Sequence, residues 1–133
     1  MTARHVLTIL AVADVPRAAA FYATGLGWER VVDVPVYVEL RAPGGMRLGL
    51  YGRQGFGRNT GVVPAATPPG ALAPTELYLH VDDLADAVAR LTAAGARPLS
   101  PRAPRDWGDE AAYFADPDGN VVVVARPLGG PEA

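Results

Sequence analysis

The chain has 133 residues, half of them apolar, with a formal net charge of −2 and no cysteine. That length suits one domain burying roughly two-thirds of its unfolded surface, and the near-balanced charge offers no basic field for a nucleic acid or an anionic membrane. Without cysteine, disulfides, thiolate metal sites and cysteine nucleophiles are excluded.

The first apolar run, Val6 to Val12, is short, lacks a small-residue cleavage site and ends at Ala13-Asp14. It predicts a strand, neither a signal peptide nor a transmembrane helix, and a cytoplasmic location is expected. Asp14 is a natural N-cap, because a short carboxylate accepts the free N–H groups of a first helical turn. Val15, Ala18, Ala19 and Phe21 or Tyr22 then give that helix one buried stripe, and it stops around Gly25 or Gly27. A short strand fits at about 29 to 34, and "VYVELRAPGGMRLGLY" (36 to 51) is an apolar-rich run broken by a Pro-Gly turn, hence a hairpin.

"RQGFGRNTGVVPAATPPGALAP" (53 to 74) carries neither helical nor strand periodicity and reads as a connecting loop, of a length that is often functional. The grammar then repeats in "ELYLHVDDLADAVARLTAAGA" from Glu76: strand, Asp83 as N-cap, a stripe of Leu84, Ala87, Val88 and Leu91, and a stop at Gly95. A strand at about 97 to 100 and a hairpin in "AAYFADPDGNVVVVA" (111 to 125) complete it. The expected fold is therefore α+β: two tandem β-α-β-β-β modules, about 5–52 and 75–127, in a single domain over 1–133.

Several chemistries fail on residue type or context. Ser100 is the only serine and precedes Pro101, with no Gly-x-Ser-x-Gly elbow around it. "GFGRNTG" leads into a Pro-rich segment and not into a helix, so it is no phosphate loop. "DPDGN" (116 to 120) alternates aspartates before a glycine but lacks the remaining ligands of a calcium loop, and reads as a hairpin turn.

"LAVADVPRAAAFYATGLGW", "LHVDDLADAVARLTAAGA" and "YFADPDGNVVVV" together resemble the vicinal oxygen chelate superfamily, which includes glyoxalase I, extradiol dioxygenases, fosfomycin-resistance enzymes and bleomycin-resistance drug-binding proteins. The resemblance spans nearly the whole chain and implies a curved mixed sheet forming a cup, with helices on its outer face, and a homodimer. It also implies metal-ligand positions on the first and last strands of each module. Transferred by position, these fall on Leu7, Gly49, Glu76 and Val123, of which only Glu76 can ligate. His80 lies about 13 Å along the strand from Glu76, too far to share an ion, whereas His5 is displaced from the Leu7 position by only about 6.6 Å. A site needing about three converging ligands is not assembled this way, so neither metal nor cofactor is expected.

Alternation puts Glu76, Tyr78 and His80 on one strand face, as it does Leu7 with Ile9, Arg47 with Gly49 and Tyr51, and Val121 with Val123. The family's geometry makes this the cup-lining face. Tyr37 and Glu39 join it only if the 42–45 turn keeps the register. Tyr113 on the last hairpin is included, and so is Trp107 in "PRDWGDEAAYF", where a planar ligand could stack, with Asp109 and Glu110 attracting a cation nearby, unless the ring packs on the sheet edge or a partner. Trp28, following the first helix stop, is expected to be structural. Glu76 is the candidate acid or base. These residues lead to a metal-independent protein binding a small aromatic or amphipathic molecule such as an antibiotic, the alternative being a lyase, isomerase or dioxygenase of the same superfamily.

Overall fold

The computed structural model describes residues 1–129. The first module runs β1 (Leu7–Val12), α1 (Val15–Leu26), β2 (Glu29–Val34), β3 (Tyr37–Arg41) and β4 (Arg47–Gly52). After α2 (Arg53–Thr60) the second runs β5 (Glu76–His80), α3 (Leu84–Ala93), β6 (Arg97–Pro104), β7 (Asp109–Ala115) and β8 (Val121–Pro127). Each module builds one four-stranded mixed sheet, ordered β1-β4-β3-β2 and β5-β8-β7-β6, with the first strand parallel to the last and the rest antiparallel. The α+β fold of two β-α-β-β-β units is thus as expected, with eight strands in two sheets among the described residues.

Helices α1 and α3 start as their caps dictate. The carboxylate of Asp14 accepts from the N–H of Arg17 and that of Asp83 from the N–H of Asp86, each at 3.0 Å. The first helix continues through Gly25 and ends at Gly27, whose φ of 71° is the left-handed conformation that glycine adopts without strain. β6 runs further than the predicted strand. It carries Pro98, Pro101 and Pro104, tolerated because it is the edge strand of its sheet.

One hydrophobic cluster joins the two modules. Leu40, Leu48 and Leu50 from the first sheet and Phe114, Val122 and Val124 from the second point to the side where α1 and α3 lie against each other. The helices approach closely at Gly25: a Cβ there would meet Leu91 Cδ2 at 3.2 Å. Leu91 is fully buried in this seam, a placement that contributes about 2–3 kcal/mol from its transfer out of water.

A polar link crosses the same seam. The phenol of Tyr22 on α1 donates to Asp116 Oδ2 at 2.5 Å, and Asp116 also accepts from Asn120 Nδ2 and from the N–H groups of Asp118 and Asn120. Asp118 in turn accepts from the N–H of Ala13, at the β1–α1 junction. The "DPDGN" segment is therefore a hairpin turn tied to the other module, its buried carboxylate filled with protein donors.

The segment 53–74, expected to be loop throughout, instead opens with α2. Propensity misleads here because tertiary contact overrides it. The Tyr51 ring lies against Gly55 and Val63 against Gly57, both places where a Cβ would clash. The rest of the segment, 61–74, is irregular. Among the described residues no helix is long and apolar enough to cross a membrane.

Candidate functional site

The sheet faces turned away from α1 and α3 carry the polar side chains. In the first module the register pairs Ile9 with Gly49, Glu39 with Gly49, and Tyr37 with Tyr51. Leu7, Ile9, Tyr37, Glu39, Arg47, Gly49 and Tyr51 therefore share one face, which settles the parity of Tyr37 and Glu39. Glu39 is buried, with 6 % of its surface exposed. Its Oε1 accepts from the Tyr37 hydroxyl at 2.6 Å and its Oε2 from Arg47 Nη1 at 3.0 Å. Burial first, and then the Glu39 carboxylate, push the Tyr37 phenol well above its ordinary range, so it stays protonated and donating. The Tyr37 and Tyr51 rings meet edge to face, 5.4 Å between centroids.

In the second module Glu76, Tyr78 and His80 face the same way as Val121, Val123, Tyr113 and Asp109. Asp109 is the hub. Its Oδ2 accepts from the Tyr78 hydroxyl at 2.5 Å and lies 3.0 Å from His80 Nε2, while the Trp107 indole N–H donates to the Tyr78 oxygen at 2.7 Å. Donation by Tyr78 and then by His80 holds the Asp109 carboxyl below its ordinary range. Being ionised, Asp109 is an acceptor only, which places a proton on His80 Nε2. Trp107 is 55 % exposed, yet this chain of hydrogen bonds fixes its ring. A freely rotating surface indole would lose entropy on binding a ligand; a pinned one has lost it already.

Of the face residues singled out from sequence, Ile9, Arg47, Glu76, Tyr78, His80 and Trp107 are exposed and Leu7, Tyr37, Tyr51, Tyr113 and Val121 half-buried. Val123 is fully buried, so it forms part of the floor and is not an open lining residue. Arg105, which no motif in the sequence marks, stacks its guanidinium 5.0 Å from the Tyr113 ring centroid. Asp109 takes a larger part than its place in the loop suggests, as the partner of both Tyr78 and His80. The alternation 109, 111, 113 along β7 places that carboxylate on the same face as Tyr113. Trp28 packs partly buried against the core, as expected. It also lines, with Met46, Tyr78, His80 and Arg90, a cavity of about 650 Å³ at the seam of the modules.

The profile of the Glyoxalase/Bleomycin resistance protein/Dioxygenase superfamily matches residues 3–124. The chain belongs to this superfamily. Among solved structures it is similar to a glyoxalase-related enzyme from Fulvimarina pelagi, at 25 % identity and a TM-score of 0.81, covering 96 % of this chain and 93 % of that one. A glyoxalase/bleomycin resistance protein/dioxygenase from Nocardioides is 25 % identical, with a TM-score of 0.78 and 98 % and 89 % covered. A glyoxalase/bleomycin resistance protein/dioxygenase family enzyme from Burkholderia phytofirmans PsJN shares the fold at 19 % identity, with a TM-score of 0.81 and 95 % and 100 % covered. No curated protein matches the chain significantly.

Metal-dependent members of the superfamily would place ligands at Leu7, Gly49, Glu76 and Val123, and these residues do not fit a metal. Leu7 and Val123 carry no donor atom, and the space of a side chain at 49 belongs to Tyr37, whose hydroxyl would lie 2.5 Å from a Cβ there. His5 sits 2.9 Å from Thr8 Oγ1 and His80 is engaged with Asp109. Among the described residues no three His, Asp or Glu side chains converge as a metal site would need.

Proposed function

We propose that this superfamily member is a metal-independent small-molecule binding protein that sequesters an aromatic or amphipathic compound, such as an antibiotic or a metabolite, on its open sheet faces. The single observation that carries this reading is the Trp107–Tyr78–Asp109–His80 chain: an exposed aromatic surface, fixed in place, beside a carboxylate. Apolar walls with a few placed polar groups are the usual make-up of a small-molecule pocket, and Glu76 and Tyr113 extend that surface.

The same reading includes a homodimer. Within one chain the modules meet through α1 and α3, so the two open faces do not pair with each other. β1 and β5 each have one edge without a strand neighbour, and Ile9 and Tyr78 lie exposed on them, both at 38 %. A second copy covering these edges would bring complementary faces together and remove exposed strand edges from water.

The test is a thermal-shift screen of aromatic antibiotics and amphipathic metabolites, followed by calorimetry with Trp107→Ala and Glu76→Ala. Loss of about tenfold or more in affinity for Trp107→Ala with the fold intact is expected. Unchanged affinity in both variants would remove the open face of the second module from the site.

A further inference from the structure

We infer that Arg47 is a fixed cationic centre that binds an anionic group of the ligand, a carboxylate, phosphonate or phosphate, on the face of the first module where a metal would otherwise be held. This deepens the metal-free reading above and rests on it.

Arg47 opens β4 directly opposite Leu7 of β1, one of the metal-ligand positions, and two residues before Gly49, another. Its Nη1 donates to Glu39 Oε2 at 3.0 Å. The second oxygen of Glu39 is taken by Tyr37, and the carboxylate is buried. The guanidinium is therefore held from a rigid base: a buried acceptor that is fixed from its other side and cannot follow the arginine into solvent.

That bond is the one hydrogen bond of the Arg47 guanidinium among the described residues. Its Nε and Nη2 donors remain available, and its side chain is 48 % exposed. The guanidinium fork matches carboxylate and phosphate oxygens two at a time, a geometry a lysine or a bound water does not reproduce. Arg105, the arginine on the other open face, is used differently: its Nη2 serves Ser100 Oγ and the carbonyls of Pro101 and Ala111 at 2.9–3.0 Å. Arg41 is paired with Glu29. Arg47 is thus half-exposed, anchored and under-used.

Its surroundings favour an anion. Arg47 lines a groove of about 590 Å³ together with His5, Val6, Gly44, Gly45 and Met46. No carboxylate is among these lining residues, and the nearby Glu39, which holds Arg47, is buried. The groove has room for more than a single small anion, which points to an anionic substituent on a larger ligand. Because Glu39 offsets the charge of Arg47, a small anion alone should bind weakly, in the millimolar range.

The experiment is an NMR titration of EDTA-treated protein with inorganic phosphate and, separately, benzoate, following the arginine Nε–H resonances. Expected is saturable, millimolar binding of both that moves the Arg47 signal and weakens as salt rises. Glu39→Gln/Arg47→Met, which removes the charge pair together and leaves no buried unpaired carboxylate, should weaken binding at least tenfold, and Arg47→Lys should weaken it by less. Saturable binding of equal strength in the double variant, binding only after a divalent metal is added, or no saturable shift at the Arg47 signal would each overturn the assignment. Should one of these occur while neutral aromatic compounds still stabilise the protein, the small-molecule binding reading stands and the anion subsite alone falls.

Discussion

The hydroxyl of Tyr37 occupies the space where a side chain at position 49 would begin, 2.5 Å from a Cβ built on Gly49, so no metal ligand fits at this position while Tyr37 keeps its place. Restoring a histidine or glutamate at 49 would not restore a ligand, because Tyr37 would first have to leave, abandoning Glu39.

Gly49→Ala should therefore destabilise the protein by about 1–3 kcal/mol, the usual cost of overpacking. In Tyr37→Ala/Gly49→Ala the added methyl meets no phenol, so it should cost much less than in the single variant. Urea unfolding of the four members of this cycle measures the coupling. Additive costs would mean that the two residues do not compete for space.

Tyr78→Phe removes the acceptor for the Trp107 indole and one donor to Asp109. The exposed location limits the stability change to about 0.5–1.5 kcal/mol. The larger effect should be on mobility: time-resolved fluorescence anisotropy should show faster local motion of Trp107, best read in a Trp28→Phe background. Unchanged motion would mean that packing alone fixes the ring.

Tyr22→Phe leaves a buried carboxylate with one donor fewer and should cost about 1–3 kcal/mol. Because the lost bond joins α1 to the 116–120 turn, hydrogen exchange should accelerate in both modules. Acceleration confined to α1 would show that the modules are not coupled through this bond.

Asp118 gives a pH signature. Burial, ahead of every other cause, raises its carboxyl above the ordinary 3.8, and its Oδ2 is buried with no hydrogen-bond partner among the described residues. The folded state then binds the proton more tightly than the unfolded state. The contribution of Asp118 to stability is fully present below pH 3.8, is lost as pH rises through the raised value, and is absent at neutral pH. Asp118→Asn, which keeps an acceptor for Ala13 and lacks the titration, should flatten this component in chemical denaturation between pH 3.5 and pH 7. An unaltered pH profile would exclude Asp118 as its source.

Much of this was legible in the sequence wherever the cause is local. Asp14 and Asp83 announced their helices because a cap is chemistry between residues three apart, and the hairpin glycines announced the turns for the same reason. Strand alternation likewise placed Glu76, Tyr78 and His80 together. The facing of Tyr37 and Glu39 was not legible, since the 42–45 turn sets the register and one residue's slip reverses the face. Nor was α2, a glycine-rich helix held by Tyr51 and Val63 from outside it. The partnership of Tyr37 with Glu39 and Arg47 depends on three strand positions meeting in space, which no spacing along the chain records.

The most direct test of a metal-free binding face is calorimetric titration, with a compound found by thermal shift, of protein stripped with EDTA and of the same protein supplied with nickel, zinc or manganese. We predict the same affinity and one site per open-face pair in all four conditions. Binding that disappears in EDTA and returns with one stoichiometric metal ion would contradict it.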